Sequence, residues 1–198
     1  SRGAGNILGR EQHGHMMAVG YDLYTKLLAD AVKELKGEKQ EEELRPVLEL
    51  DVSAYISNEY ISNEALKMEI YRRIAAVDSV EEADDLEDEV EDRFGDIPEP
   101  TRNLIMISRI RAQAAKLGIE SIIQKGDMIN IKFHEKSQLT PQLLVGIKAV
   151  LDRQVKIIGT NSPIIAVKTR GNEGIKLLMR LQKILDEIKA MQEKGGIV

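Results

Sequence analysis

IESIIQKGDMINIKFH, Ile119 to His134, is the stretch that decides the fold class. Upstream of it, apolar residues recur at helical spacing. Here the period changes, and Ile119–Lys125 and Met128–His134 read as two strands. Gly126-Asp127 between them supplies a tight turn, so the pair is expected to form a β-hairpin. Working outward toward the C-terminus, Thr140-Pro141 is a helix start, with a hydroxyl cap and proline at the first helical position, and the helix should run to about Asp152. Val155–Ile158 and Ile164–Lys168 read as two more strands, turned by Asn161, Ser162 and Pro163. A last helix from about Asn172 to Gln192 carries Leu178, Leu181, Leu185 and Ile188 in a narrow seam.

Working outward toward the N-terminus, three helices precede the hairpin. One is expected from an Asn63 cap to Val77, with Leu66, Ile70, Ile74 and Val77 buried. The second opens with Ser79-x-x-Glu82, a capping box, and buries Ala83, Leu86, Val90 and Phe94 before Gly95. The third spans about Thr101 to Leu117, after Pro98 and Pro100 have stopped its predecessor. Val47–Val52 alternates apolar and acidic residues and reads as a strand with one solvated face. Residues 37–45, GEKQEEELR, are a charged linker, which divides the chain into 1–45 and 46–198. The first part has a glycine-rich segment and one helix from about Met17 to Leu35. The second is α+β, with helices packed on a small, mainly antiparallel sheet.

Composition narrows the function. Hydrophobic residues make up 42% of the 198, enough for a core, but aromatics are 4% and there is no Trp, so that core is aliphatic. A net charge of −5 repels phosphate and argues against a free-standing nucleic-acid binder. With no Cys, disulfides and thiolate metal sites are excluded. His13, His15 and His134 are too scattered for a metal cluster. No G-x-x-x-x-G-K-[ST] loop, G-x-S-x-G elbow or H-E-x-x-H helix occurs. GAGNILG has Leu8 where a dinucleotide fingerprint needs its third glycine. Stand-alone catalysis and a cofactor in this chain are not expected. The opening Ser1-Arg2-Gly3 lacks both an apolar leader and an initiator Met, so a piece of a longer cytoplasmic protein is expected, without a membrane segment.

Two sets of residues carry a family resemblance. Arg2-Gly3-x-Gly5-x-x-Leu8-Gly9-x-x-Gln12-x-Gly14, followed by Val19-Gly20-Tyr21-x-Leu23-Tyr24, resembles the end of the translocation motif shared by transcription-repair coupling factors and the branch-migrating translocase RecG. YISNEYISNEALKMEIYRRIA (Tyr55–Ala75), Glu89-x-x-Asp92-Arg93-Phe94-Gly95-x-x-Pro98 and AAKLGI (Ala114–Ile119) resemble the C-terminal domain of the coupling factors, which RecG lacks. Ser57 and Ser62 stand where that family often has Pro.

The resemblance implies a job. The whole protein would use ATP and Mg to translocate on duplex DNA, displace stalled RNA polymerase and recruit the repair protein UvrA. Arg2 and Gln12 would transmit force, with Gly3, Gly5, Gly9 and Gly14 shaping the turns that aim them. Glu89 and Asp92, three apart on one helix, would dock on the protein's own N-terminal UvrB-like module and restrain the motor. Reversing both charges is expected to leave the domain folded. Two other classes stay open: a protein-binding module acting alone, and an enzyme whose site the motifs do not reveal.

Overall fold

The computed structural model describes residues 45–135, 145–146, 155–158 and 164–195. Its centre is the hairpin. Strand β2 (Ile119–Lys125) and strand β3 (Met128–Phe133) pair antiparallel across Gly126, whose φ of +61° is the left-handed conformation that the turn needs. On β3 Ile129, Ile131 and Phe133 are buried and their neighbours are not, as the period of two demands. On β2 the buried isoleucines are three apart, Ile119 and Ile122. A register shift between Ile119 and Ser121 inserts one extra residue and returns both to the same face, opposite Phe133 and Ile131. Strand β5 (Ile164–Lys168) adds antiparallel to β3 and sets Ile165 and Val167 beside Ile131 and Ile129. Strand β4 (Val155–Ile158) pairs antiparallel with β5.

Strand β1 (Val47–Glu49) completes a five-stranded sheet of order β1-β2-β3-β5-β4 and is its parallel member, pairing Leu48 with Ile122. The fold is therefore α+β with a mixed, mainly antiparallel sheet. The expected strand to Val52 is shorter than its apolar alternation suggested. Leu48, Leu50, Val52, Ala54 and Ile56 are all buried, so the extended conformation continues, but the partners change. The Asp51 N–H donates to Gln124 Oε1 at 2.8 Å, the Tyr55 N–H to the Pro100 carbonyl at 3.2 Å and the Ile56 N–H to the Tyr71 hydroxyl at 2.8 Å. Side chains from the first turns of a helix finish the job: Asn103 Nδ2 donates to the Ser53 carbonyl and Thr101 Oγ1 to the Tyr55 carbonyl, both at 2.9 Å. A buried backbone group without a ladder must find such a partner.

Four helices have described bounds: α1 (Glu64–Ala75), α2 (Val80–Phe94), α3 (Glu99–Lys116), which lies on the sheet, and α4 (Gly174–Gly195). Helix α3 is central, packed on α1, α2, α4, β1 and β2, and is buried on several sides through Leu104, Ile105, Ile110 and Ala112. It starts two residues before the expected Thr101. Pro98 is its N-cap, and Pro100 sits in its first turn, where a missing N–H costs nothing, rather than only ending α2. The expected caps form at Asn63, whose Oδ1 accepts from the Leu66 N–H at 3.0 Å, and at Ser79, whose Oγ accepts from the Glu82 N–H at 3.0 Å. Glu82 reaches one residue further back than a standard box and accepts from the Asp78 N–H at 2.9 Å. Leu66 and Phe94, expected in buried stripes, are only partly buried. The α4 seam of Leu178, Leu181, Leu185 and Ile188 is fully buried. That helix begins at Gly174 rather than Asn172, because Arg170, Gly171 and Gly174 hold positive φ values of 56°, 71° and 55°. The expected helices at Met17–Leu35 and Thr140–Asp152 lie outside the described residues, apart from Val145 and Gly146, which are helical.

Candidate functional site

Helix α2 carries nine carboxylates between Ser79 and Phe94. Its buried stripe of Ala83, Leu86 and Val90 faces the core, so the acids fall on the remaining faces. The structure sorts them by partner. Arg102 and Arg109 of α3 hold Glu87 and Asp84 at 3.2 and 3.1 Å. Arg73 of α1 forks onto Glu89, with Nη2 at 3.0 Å from Oε1 and Nη1 on Oε2. Arg93, one turn further along α2, also reaches Glu89 at 3.2 Å and Glu69 of α1 at 3.5 Å. Its guanidinium lies 5.0 Å from the centre of the Phe94 ring, which packs edge-on against Tyr60 at 6.1 Å. The Tyr60 hydroxyl donates to the Gly95 carbonyl at 2.8 Å, closing the end of α2.

The two predicted docking carboxylates therefore have different surroundings. Glu89 is half-buried and already joins α1 to α2, whereas Asp92 is exposed and makes no ion pair among the described residues. Asp92 shares its outward face with Asp85 and Asp88, both exposed, at helical spacings of three and four. This stripe was readable as a row of acids in the sequence. Which acids are held by arginines was not, because Arg73, Arg102 and Arg109, which hold Glu89, Glu87 and Asp84, lie on α1 and α3. Arg2, Gly3, Gly5, Gly9, Gln12 and Gly14 lie outside the described residues.

The hydrogen bond from Arg73 holds the Glu89 carboxyl below its ordinary value of 4.5; burial opposes it, and the Arg93 hydrogen bond and the charges of both arginines lower it further, while the Arg73–Glu89 contact also raises Arg73. A depressed carboxylate stabilises the fold fully above 4.5, and that contribution is lost as pH falls through the folded value. Glu89→Gln is therefore expected to melt below the parent chain at neutral pH, with the gap closing in acid. Thermal melts from pH 7 down to about 3 measure it. A gap that persists unchanged in acid would mean that the Arg73–Glu89 pair is not its source. The expectation that Glu89 could be reversed without touching the fold is corrected by the same geometry: an arginine there would face Arg73 and Arg93.

An exposed acidic stripe can attract a basic partner. It does not make a catalytic pair, which needs carboxylates in an enclosed pocket. Among the described residues no group of three or more His, Asp or Glu side chains is placed to hold a metal ion, and no helix is long and apolar enough to cross a membrane.

Comparison with known proteins adds to this geometry. Residues 50–144 match the model of the TRCF domain, a span that contains α1, α2, α3 and the β2–β3 hairpin. Along 98% of its length the chain is 35% identical to the transcription-repair-coupling factor of Staphylococcus aureus. The chain belongs to the transcription-repair coupling factors. A second coupling factor, from Staphylococcus epidermidis, is 34% identical, again over 98% of this chain. The chain spans only 17% of the length of either relative. Its fold is similar to a solved structure described as the C-terminal domain of transcription-repair coupling factor, with a TM-score of 0.68 and 22% identity, over 76% of this chain and 95% of that one. The α2 stripe lies inside the span that matches the coupling-factor domain, whereas Arg2–Gly14 lies before it.

Proposed function

We propose that this chain is the regulatory part of an ATP-driven DNA translocase that displaces stalled RNA polymerase and recruits UvrA. In this reading residues 46–198 dock on a UvrB-like module of the same protein, cover its UvrA-binding surface and hold the motor back. Residues 1–14 couple the motor to movement along duplex DNA. The observation that carries the docking half is the acidic face of α2: Asp85, Asp88 and Asp92 are exposed and make no ion pair among the described residues, while Asp84 and Glu87 are held by arginines of α3. The membership in the coupling factors supports the rest. Glu89 belongs to this face through its position, but an incoming cation there must share it with Arg73.

The test uses Asp92 because its reversal leaves the α1–α2 link intact. An exposed ion pair contributes about 0.2–1 kcal/mol, and reversal turns attraction into comparable repulsion. Asp92→Arg in the intact protein is thus expected to raise the undocked fraction about twofold to thirtyfold, if docked is the resting state. UvrA capture by the intact variant reads this directly, and the melting temperature of the 198-residue chain controls for folding. Unchanged UvrA capture from a normally folded Asp92→Arg protein would remove this residue from the docking face.

A further inference from the structure

Glu89 stands on the acidic face of α2, three residues before Asp92, yet both of its oxygens are already engaged. Arg73 Nη2 lies 3.0 Å from Oε1, while Arg73 Nη1 and Arg93 Nη1 both reach Oε2, the latter at 3.2 Å. A carboxylate offers about four acceptor sites, so little of Glu89 is left. An incoming arginine can make a single bond to it. The fork onto both oxygens, which is the stronger geometry, is occupied by Arg73. Asp92 makes no ion pair among the described residues and presents no such obstacle.

The surroundings of Arg73 let it withdraw. Its side chain and that of Glu89 are each 40% exposed, so the core locks neither in place. Glu69 lies four residues earlier on α1, the spacing at which an acid and a following base meet on a helix surface. Its charge already helps to keep Arg73 protonated, and its own side chain is 47% exposed, with Arg93 at 3.5 Å. Arg73 also belongs to the last turn of α1, where the partial negative charge of the helix end favours a cation. An Arg73 displaced from Glu89 therefore keeps a favourable position.

We propose that Arg73 is a built-in competitor for the docking contact: it holds Glu89 while the domain is undocked and yields it to an arginine of the UvrB-like module on docking. This inference rests on the docking reading and adds its regulation. Docking has to displace Arg73, so the α1–α2 link weakens the docked state and keeps it reversible. The sign of the effect separates this role from a structural one. If Arg73 only supported α2, its loss would loosen the acidic face and expose the UvrA-binding surface. As a competitor, its loss frees Glu89 and tightens docking.

The test is UvrA capture by the intact protein and its variants, with melting temperatures of the matching 198-residue chains as the control for folding. Arg73→Gln is expected to lower capture about 1.4-fold to fivefold, the effect of one more exposed ion pair in the docked state. Arg73→Lys keeps the charge but cannot fork, so it should lower capture by less, and it serves as the test where Arg73→Gln melts below the assay temperature. Asp92→Asn should raise capture, and adding Arg73→Gln to it should bring capture back down. In a Glu89→Gln background Arg73→Gln should change nothing, because no carboxylate is there to be freed. Unchanged or increased capture by folded Arg73→Gln, with Asp92→Asn still raising it, would overturn the competitor and leave the docking reading standing. A drop that persists without Glu89 would overturn it as well. Unchanged capture by every variant would remove the docking reading, and this inference with it.

Discussion

Phe133→Ala is expected to lower the melting temperature by roughly 6–20 °C. The side chain is completely buried at the end of β3, opposite Ile119 and just past the register shift in β2. Removing a buried phenylalanine side chain costs about 3–5 kcal/mol, the lost transfer energy plus the cavity. For a chain of this length each kcal/mol moves the melting temperature by roughly 2–4 °C. Little can refill the hole. The chain has two Phe and no Trp, and the core around Phe133 is built from β-branched and leucine side chains already fixed by ladder and helix packing. Phe94, partly exposed beside Tyr60 and Arg93, offers the contrast: Phe94→Ala removes surface packing and should cost much less. Calorimetry of the two variants measures the difference. A loss at Phe133 no larger than that at Phe94 would mean that the hairpin is not the packing centre.

Arg2→Ala in the intact protein is expected to abolish displacement of stalled polymerase, or of a triplex on DNA, while ATP hydrolysis continues. The ground is the pattern Arg2-Gly3-x-Gly5-x-x-Leu8-Gly9-x-x-Gln12-x-Gly14, in a chain 35% identical to a coupling factor over 98% of its own length. Four glycines within fifteen residues permit turns and close backbone approach that side chains would obstruct, and such a segment can aim one arginine at its target. Alanine removes the charge and the donors but leaves the glycines. Hydrolysis and displacement should therefore separate, and they are measured on the same preparation. Displacement at the parent rate would sink the role given to Arg2, and parallel loss of both activities would assign it to the ATPase step instead.

How much of this was legible beforehand differs from element to element. The hairpin, both side-chain caps and the α4 seam were readable because their causes are local. A turn glycine, a capping hydroxyl or an apolar spacing acts within a few residues of itself. The pentapeptide Tyr-Ile-Ser-Asn-Glu occurs twice in succession, and shows where such reading stops. In the first copy Ser57 Oγ accepts from the Tyr60 N–H and Asn58 takes the Nζ of Lys67, whose side chain is 2% exposed. In the second copy Asn63 caps α1. The same five residues do different work because Ala65-Leu66 can continue as a helix after the second copy, while the first is followed by a chain that must turn back toward the core.

By itself the sequence determined an α+β class, an aliphatic core, the start of α1 and both ends of α2, the acidic character of α2 and the resemblance to the coupling factors. Tertiary structure alone decided who meets whom. It set β1 parallel to β2, handed the extended arm at 50–56 to Gln124, Asn103, Thr101 and Tyr71, and gave Glu89 to Arg73 while leaving Asp92 exposed. It also left Asn103 Oδ1 buried without a donor. Spacing along a chain specifies which face a side chain occupies. The partner on the facing element, often far away in sequence, is specified only when the core closes and brings the two together.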